Sequence, residues 1–221
     1  MTERPLALLG GSFDPVHHGH LRMALEAAQA LDAVVALLPS GIPPHRASPT
    51  ATPAQRLTMI ELALAGQDRI AVDARELARS GPNYTVDTLR EVRAEVGAQR
   101  PLVLLIGTDQ FGALDRWHEW RSLFEFAHVG VLDRVGVAAT PSGAVNAFVS
   151  ARWITNAESL RSKPAGMAIR IVTTALDISA SRIRADLAAG RSPRWLLPDP
   201  VLDYIHAHGL YLTPGQVRWP V

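Results

Sequence analysis

The chain has 221 residues, of which 48% are hydrophobic and 19% charged, as in ordinary globular proteins. Its formal charge of +1 gives no electrostatic reason to expect nucleic acid or an anionic membrane as a partner. There is no cysteine, which excludes disulfides, thiolate metal ligands and cysteine nucleophiles. The single lysine, Lys163, stands in a Ser-Lys-Pro context that cannot complete a P-loop.

No stretch of the sequence approaches the ~20 apolar residues that a membrane span needs. The first apolar run, residues 5–9, is also too short for the hydrophobic region of a signal peptide. We therefore expect a cytoplasmic protein that is not attached to a membrane. No pattern in the sequence points to a particular oligomeric state.

Short apolar runs alternate with segments of helical periodicity along the chain. The runs predict strands at 6–9, 34–38, 70–72, 102–106, 128–132 and 169–172. Helices are predicted at 19–31, from 53 onward, 85–96, 145–160, 181–189 and 200–208. This alternation predicts an α/β fold with a Rossmann-like, doubly wound and mostly parallel sheet. We expect one domain over 1–221, with a core to about residue 175 and a small helical appendage over about 176–221.

The first predicted strand leads through two glycines, Gly10 and Gly11, into a predicted helix with three histidines at its start. Glycines allow a ligand to approach the backbone, and a helix N-terminus attracts anions. His17 and His20 are three positions apart and share a helical face, whereas His18 points elsewhere. This pattern predicts a phosphate site, although a metal site or a helix start without a ligand would also fit it.

A second loop, residues 106–109, follows the most apolar predicted strand. In doubly wound sheets, loops at the carboxyl ends of strands converge where the strand order reverses. We therefore expect this loop to meet the glycine loop of residues 10–20 around one ligand.

Two segments carry a family resemblance. Residues 10–20, Gly-Gly-Ser-Phe-Asp-Pro-Val-His-His-Gly-His, resemble the His-x-Gly-His signature of the nucleotidyltransferase superfamily. Residues 178–184, Ile-Ser-Ala-Ser-Arg-Ile-Arg, are similar to the Ile-Ser-x-Thr/Ser-x-x-Arg element of the same superfamily. Within it, the chain resembles the bacterial nicotinate mononucleotide adenylyltransferases. Further matching segments are 43–46, 82–85, 106–109, Trp117, 196–201, 204–205 and 209–211.

The resemblance implies direct transfer of AMP from ATP to nicotinic acid mononucleotide, a step of NAD biosynthesis, without a covalent enzyme intermediate. Mg²⁺ would be bound mainly through the ATP phosphates, with no metal ligand expected from the protein. His17, His20 and Arg184 are the implied catalytic residues, with His20 stabilising the transition state, and Ser179 and Arg184 would hold the leaving pyrophosphate. The implied ATP-binding residues are Gly10, Gly11, Ser12, Phe13, His17, His20, Ser179 and Arg184.

The resemblance also implies an acceptor site. Asp109 would bind ribose hydroxyls, or else cap a helix; Trp117 would stack on the pyridine ring, or else belong to the core. Backbone N–H groups near Thr85 would bind the nicotinate carboxylate, and Arg46 would reach a substrate phosphate. Ser40 stands where the family often has Asn, so a side-chain contact with the substrate is in question there. The implied set is Ser40, Arg46, Thr85, Gly107, Asp109 and Trp117.

Three alternatives fit parts of the pattern. A related transferase could use nicotinamide mononucleotide or phosphopantetheine as the acceptor. The histidines could belong to a metal-binding protein, or the chain could be a nucleotide sensor without activity. The remaining histidines have no motif context and are predicted to be structural: His118, His128, His206 and His208.

Overall fold

The computed structural model describes residues 3–41, 49–134 and 141–213. The strands are β1 (Leu6–Gly11), β2 (Val34–Pro39), β3 (Ile70–Val72), β4 (Leu102–Gly107), β5 (His128–Arg134), β6 (Trp153–Ile154) and β7 (Ala168–Thr173). The α-helices are α1 (His18–Leu31), α2 (Pro53–Ala63), α3 (Arg75–Ala78), α4 (Thr85–Val96), α5 (Thr108–Gly112), α6 (Leu123–Phe126), α7 (Gly143–Val149), α8 (Ala180–Ala188) and α9 (Asp199–Ala207).

The strands form one seven-stranded sheet in the order β3-β2-β1-β4-β5-β7-β6. Every pair of neighbouring strands is parallel, which confirms the predicted α/β, Rossmann-like fold. The order reverses between β1 and β4, which pair directly. The carboxyl ends of these two strands therefore form the switch point at which such sheets bind ligands.

Side chains along the central strands alternate between the two faces of the sheet, because successive residues of a strand point to opposite sides. In β1, Ala7 and Leu9 belong to one buried cluster and Leu8 to the other. In β4, Val103 and Leu105 join the first cluster, while its other apolar residues join the second. Helices α1, α2, α8 and α9 cover the first face, and α4 to α7 contribute to the second.

The C-terminal helices bury their apolar side chains in the first cluster. Ile183 and Leu187 of α8 and Ile205 of α9 are almost fully buried there, together with Met59 of α2. The segment predicted as an appendage therefore contributes to the hydrophobic core. None of the helices in the described ranges is long and apolar enough to span a membrane.

One helix prediction is wrong. Instead of a single helix over 145–160, the chain forms α7, then the two-residue strand β6, and then a 3₁₀ helix, Ala157–Ser162. Trp153 and Ile154 favour strands, and they pair with β7 at the sheet edge. The Asn156 side chain then accepts a hydrogen bond from the backbone N–H of Ser159 and starts the 3₁₀ helix.

Candidate active site

The loop from β1 to α1 is tightly packed. The Phe13 side chain is fully buried beneath it, and Phe13 has a left-handed backbone with φ of 47°. A Cβ at position 11 would lie 2.9 Å from the Phe13 ring, so Gly11 is required for this close approach. Because Phe13 is enclosed by protein, only its backbone could face a nucleotide at the predicted ATP site.

Two histidines share one face at the start of α1, as predicted. The rings of His17 and His20 stack with centroids 3.7 Å apart and planes inclined by 22°. The Phe13 ring packs edge-on against the His20 ring, with their centroids 4.8 Å apart, and so supports the pair. His18 faces away and lines a separate groove beside α2. The imidazoles of His17 and His20 therefore form a pair, and His18 is not part of it.

The C-terminal motif reaches the same loop. A guanidinium N–H of Arg184, in α8, donates a 2.6 Å hydrogen bond to the backbone carbonyl of Asp14. A Cβ placed on Gly19 would lie 3.6 Å from the carbonyl oxygen of Ile178. Two motifs that lie at opposite ends of the sequence are thus in contact. Ser179 is the N-cap of α8, and its hydroxyl accepts a 3.3 Å bond from the backbone N–H of Arg182.

A second arginine supports the loop from inside. Arg56, in α2, is 1% exposed and donates a 2.8 Å hydrogen bond to the carbonyl oxygen of Ser12. Burial lowers the pKa of its guanidinium, and the nearby Asp14 carboxylate opposes that shift. No motif identified Arg56 in advance, because its contact joins residues 44 positions apart.

Beside the loop, at the carboxyl ends of β1, β2 and β4, lies a cavity of about 350 Å³. It is large enough for one small organic ligand. Of the residues predicted for ATP or the acceptor, those lining the cavity are Gly10, Gly11, Ser12, Ser40, Thr85, Asp109 and Trp117. The predicted site residue Arg46 lies outside the described residues. Gly107 is the N-cap of α5, next to this wall.

The acceptor residues come from three different elements. Thr85 is the first residue of α4, so the N-terminus of this 12-residue helix opens on the cavity. Asp109 lies in the first turn of α5, whose N-cap is Gly107, so the alternative of Asp109 as a helix cap is wrong. Trp117 borders the cavity with one part and packs against the second core cluster with another. The backbone N–H of Ser40 donates to the carbonyl of Gly11 at 2.9 Å and joins the two loops.

The cavity also contains residues that the sequence did not single out. His118 lines it, with its ring 4.4 Å from that of Tyr84, and its structural role stays a prediction. Glu76 forms another part of the wall and is 7% exposed. Thr88 donates a 2.7 Å hydrogen bond to the Glu76 carboxylate. Burial nevertheless raises the pKa of Glu76, because the charged form loses its hydration.

The charged groups around the β1–α1 loop suit an anion more than a cation. Within the described ranges, no group of three or more His, Asp or Glu side chains is arranged to hold a metal ion. The Asp14 carboxylate is already engaged by two backbone N–H groups, of Thr50 and Ala51. Imidazole, guanidinium and helix N-termini are instead the groups that bind phosphates.

Comparison with known proteins gives the family. Residues 8–186 match the model of the "Cytidylyltransferase-like" family. A curated relative from Marinobacter nauticus, named "Probable nicotinate-nucleotide adenylyltransferase", is 48% identical over 92% of this chain and 95% of its own. One of the same name from Pseudomonas aeruginosa PAO1 is 46% identical over 95% of this chain and 98% of its own. The chain belongs to the cytidylyltransferase-like family, in its nicotinate-nucleotide adenylyltransferase branch.

Solved structures agree with this fold. Nicotinic acid mononucleotide adenylyltransferase from Plasmodium falciparum, complexed with NaAD, superimposes with a TM-score of 0.68 at 19% identity. That match covers 95% of this chain and 98% of the other. A "Putative Nicotinate-nucleotide Adenylyltransferase" from Vibrio parahaemolyticus gives a TM-score of 0.63 at 15% identity over 95% and 96% of the two chains. At these identities the similarity shows the fold.

Proposed function

We propose that the protein transfers AMP from ATP to nicotinic acid mononucleotide, giving nicotinic acid adenine dinucleotide and pyrophosphate. The observation that carries this proposal is the hydrogen bond from Arg184 to the Asp14 carbonyl. It joins the C-terminal motif to the histidine loop at the edge of a cavity large enough for the acceptor. The curated relatives of the same branch carry the name of this activity.

In the proposed reaction, a phosphate oxygen of the mononucleotide attacks the α-phosphorus of ATP. A new P–O bond forms as the bond from that phosphorus to the β-phosphate oxygen breaks, and pyrophosphate leaves. We assign His17 and His20 to the triphosphate, with His20 stabilising the charge that builds on the α-phosphoryl group. Ser179 and Arg184 hold the leaving pyrophosphate, and the loop backbone positions the nucleotide.

The cavity suits the acceptor in the proposed complex. Backbone N–H groups at the start of α4, near Thr85, receive the nicotinate carboxylate, which gains more from such bonds than a neutral amide does. Trp117 stacks on the pyridine ring, and Asp109 accepts from ribose hydroxyls. Ser40 and Gly107 contribute backbone at the rim, and Arg46 is assigned to a substrate phosphate.

Family members of this kind use a divalent cation with ATP, and here we propose Mg²⁺. Among the described residues, no group of three or more His, Asp or Glu side chains could hold a metal ion, so the ion would be held by the ATP phosphates. The bound ion would neutralise part of the phosphate charge.

We further propose that residues 1–221 form a single nucleotidyltransferase domain, supported by the core that α8 and α9 share with α1 and α2. Because ATP is its proposed substrate, we propose a cytoplasmic location.

A pyrophosphate-release assay tests the proposal. The purified protein is incubated with ATP and Mg²⁺ plus one acceptor: nicotinic acid mononucleotide, nicotinamide mononucleotide or phosphopantetheine. We expect the highest kcat/KM with the nicotinate form. A higher kcat/KM with one of the other acceptors, or no release with any, would contradict the proposal.

A further inference from the structure

The Asp14 carboxylate is the point at which four segments meet. It is 3% exposed, and its two oxygens accept hydrogen bonds from the backbone N–H groups of Thr50, at 2.8 Å, and Ala51, at 3.0 Å. The hydroxyl of Tyr211 donates a 2.6 Å bond to the same carboxylate. Arg184 approaches it to 3.7 Å while bonding to the Asp14 carbonyl. One side chain thereby links the β1–α1 loop, the segment before α2, helix α8 and the chain after α9.

Tyr211 reaches this carboxylate from 197 positions further along the sequence. Burial and the neighbouring carboxylate raise the pKa of its hydroxyl, so the group stays protonated and donates across the physiological pH range. Its φ of 62° lies in the left-handed region, which a bulky residue adopts only where surrounding contacts impose it. The hydroxyl is therefore held at a defined place beside Asp14.

The contacts around Asp14 have a consequence for Arg184. A carboxylate with all of its donors in place has one orientation, and the backbone of Asp14 is fixed with it. The carbonyl of that backbone is in turn the acceptor that orients the Arg184 guanidinium. Without the Tyr211 hydroxyl, a buried carboxylate loses a donor and the local arrangement must relax.

We propose that Tyr211 is a positioning residue for the pyrophosphate site and acts through Asp14 on Arg184. This inference rests on the proposed function, because it assumes that Arg184 holds the leaving group. We assign Tyr211 no direct contact with the substrates, because its hydroxyl is engaged by the Asp14 carboxylate.

The direct test compares two variants that each lose one phenolic hydroxyl. Tyr211→Phe keeps the ring and removes the donor to Asp14. Tyr204→Phe is the matched control: its ring packs 4.0 Å from His208, and its hydroxyl has no hydrogen bond within the described residues. We expect Tyr211→Phe to lower kcat/KM for ATP roughly tenfold, as a lost hydrogen bond to a charged group would. The control should stay within about twofold of wild type.

A double-mutant cycle separates positioning from a general effect on the fold. In an Arg184→Gln background, kcat/KM for ATP is already lowered by the loss of Arg184. Adding Tyr211→Phe should lower it further by less than about twofold. Equal losses in both backgrounds would overturn the proposal, as would a Tyr211→Phe variant that matches the Tyr204→Phe control. If Tyr211→Phe is too unstable to assay, Asp14→Asn replaces the acceptor instead, and the same coupling to Arg184 is expected.

Calorimetric measurement of ATP binding distinguishes a failure of this inference from a failure of the proposed function. If wild type transfers AMP to no acceptor, the proposed function fails. The inference is then judged by the Kd for Mg-ATP, which Tyr211→Phe should raise roughly tenfold while Tyr204→Phe leaves it unchanged. An unchanged Kd in Tyr211→Phe under those conditions would overturn it.

Discussion

A single methyl group at Gly41 would test whether the cavity is the acceptor site. A Cβ at this position would overlap the backbone carbonyl oxygen of Glu76 and the side-chain amide of Asn83. Both groups belong to the cavity wall, and a backbone carbonyl cannot move aside as a flexible side chain can. Gly41→Ala should therefore displace this wall relative to Ser40.

The magnitude follows from the cost of overpacking, which is typically ~1–3 kcal/mol for an inserted methyl group. Since ~1.4 kcal/mol corresponds to a factor of ten, we expect KM for nicotinic acid mononucleotide to rise about tenfold. The KM for ATP should change by less than about twofold, because neither His17 nor His20 lines this cavity. Any part of the strain felt as instability would lower Tm by about 2–4 °C per kcal/mol in a chain of this size.

The assay is steady-state pyrophosphate release with each substrate varied in turn, together with a thermal melt. Gly143→Ala is the control, since a Cβ at this position in α7 has no neighbour within 4 Å. It should leave both KM values unchanged. An unchanged KM for the mononucleotide in Gly41→Ala, or a rise confined to ATP, would refute the assignment of the cavity.

Three further predictions concern other parts of the molecule. His20→Ala should lower kcat by ~10²–10³ with little change in Tm, whereas His18→Ala should do much less; the reverse order in the same assay would contradict the stacked pair as the phosphate ligand. Burial raises the pKa of Glu76 in the folded protein above its ordinary 4.5. The protonated side chain therefore contributes stability below pH 4.5, and this contribution is lost as the pH rises through the raised pKa. Glu76→Gln should therefore raise Tm at pH 7.5, with the gain shrinking towards pH 4, and a pH-independent difference would count against this. Gly130→Ala should lower the free energy of unfolding, measured with denaturant, by about 1–3 kcal/mol, since its Cβ would lie 2.7 Å from the Leu105 side chain. An unchanged free energy of unfolding would contradict tight packing at this position.

The parts of the fold that the sequence predicted are those with strong local signals. β1 and β4 are apolar runs that end at glycine, and their predicted meeting at the switch point is confirmed by their direct pairing. The three-residue spacing predicts the shared face of His17 and His20, and the structure stacks their rings with His17 at the N-cap of α1. The contact of Arg184 with the loop is foreseen only by the resemblance, because nothing local to α8 indicates its partner.

The parts that were missed lack such signals. Helix α3 has four residues, too few for any periodicity to appear, yet it carries Glu76 into the cavity wall. His118 is in the cavity because the chain after α5 folds back beside α4, where it meets Tyr84. The Asp14 contacts span 36 to 197 positions, and such distances leave no trace in a local pattern.

The most direct test of the account is a crystal structure of the protein with Mg²⁺ and a non-hydrolysable ATP analogue. We predict that the triphosphate lies within hydrogen-bond distance of both the His20 imidazole and the Arg184 guanidinium, with the cavity beside Trp117 left free for the acceptor. A triphosphate bound elsewhere, or one that touches only one of the two motifs, would contradict the account.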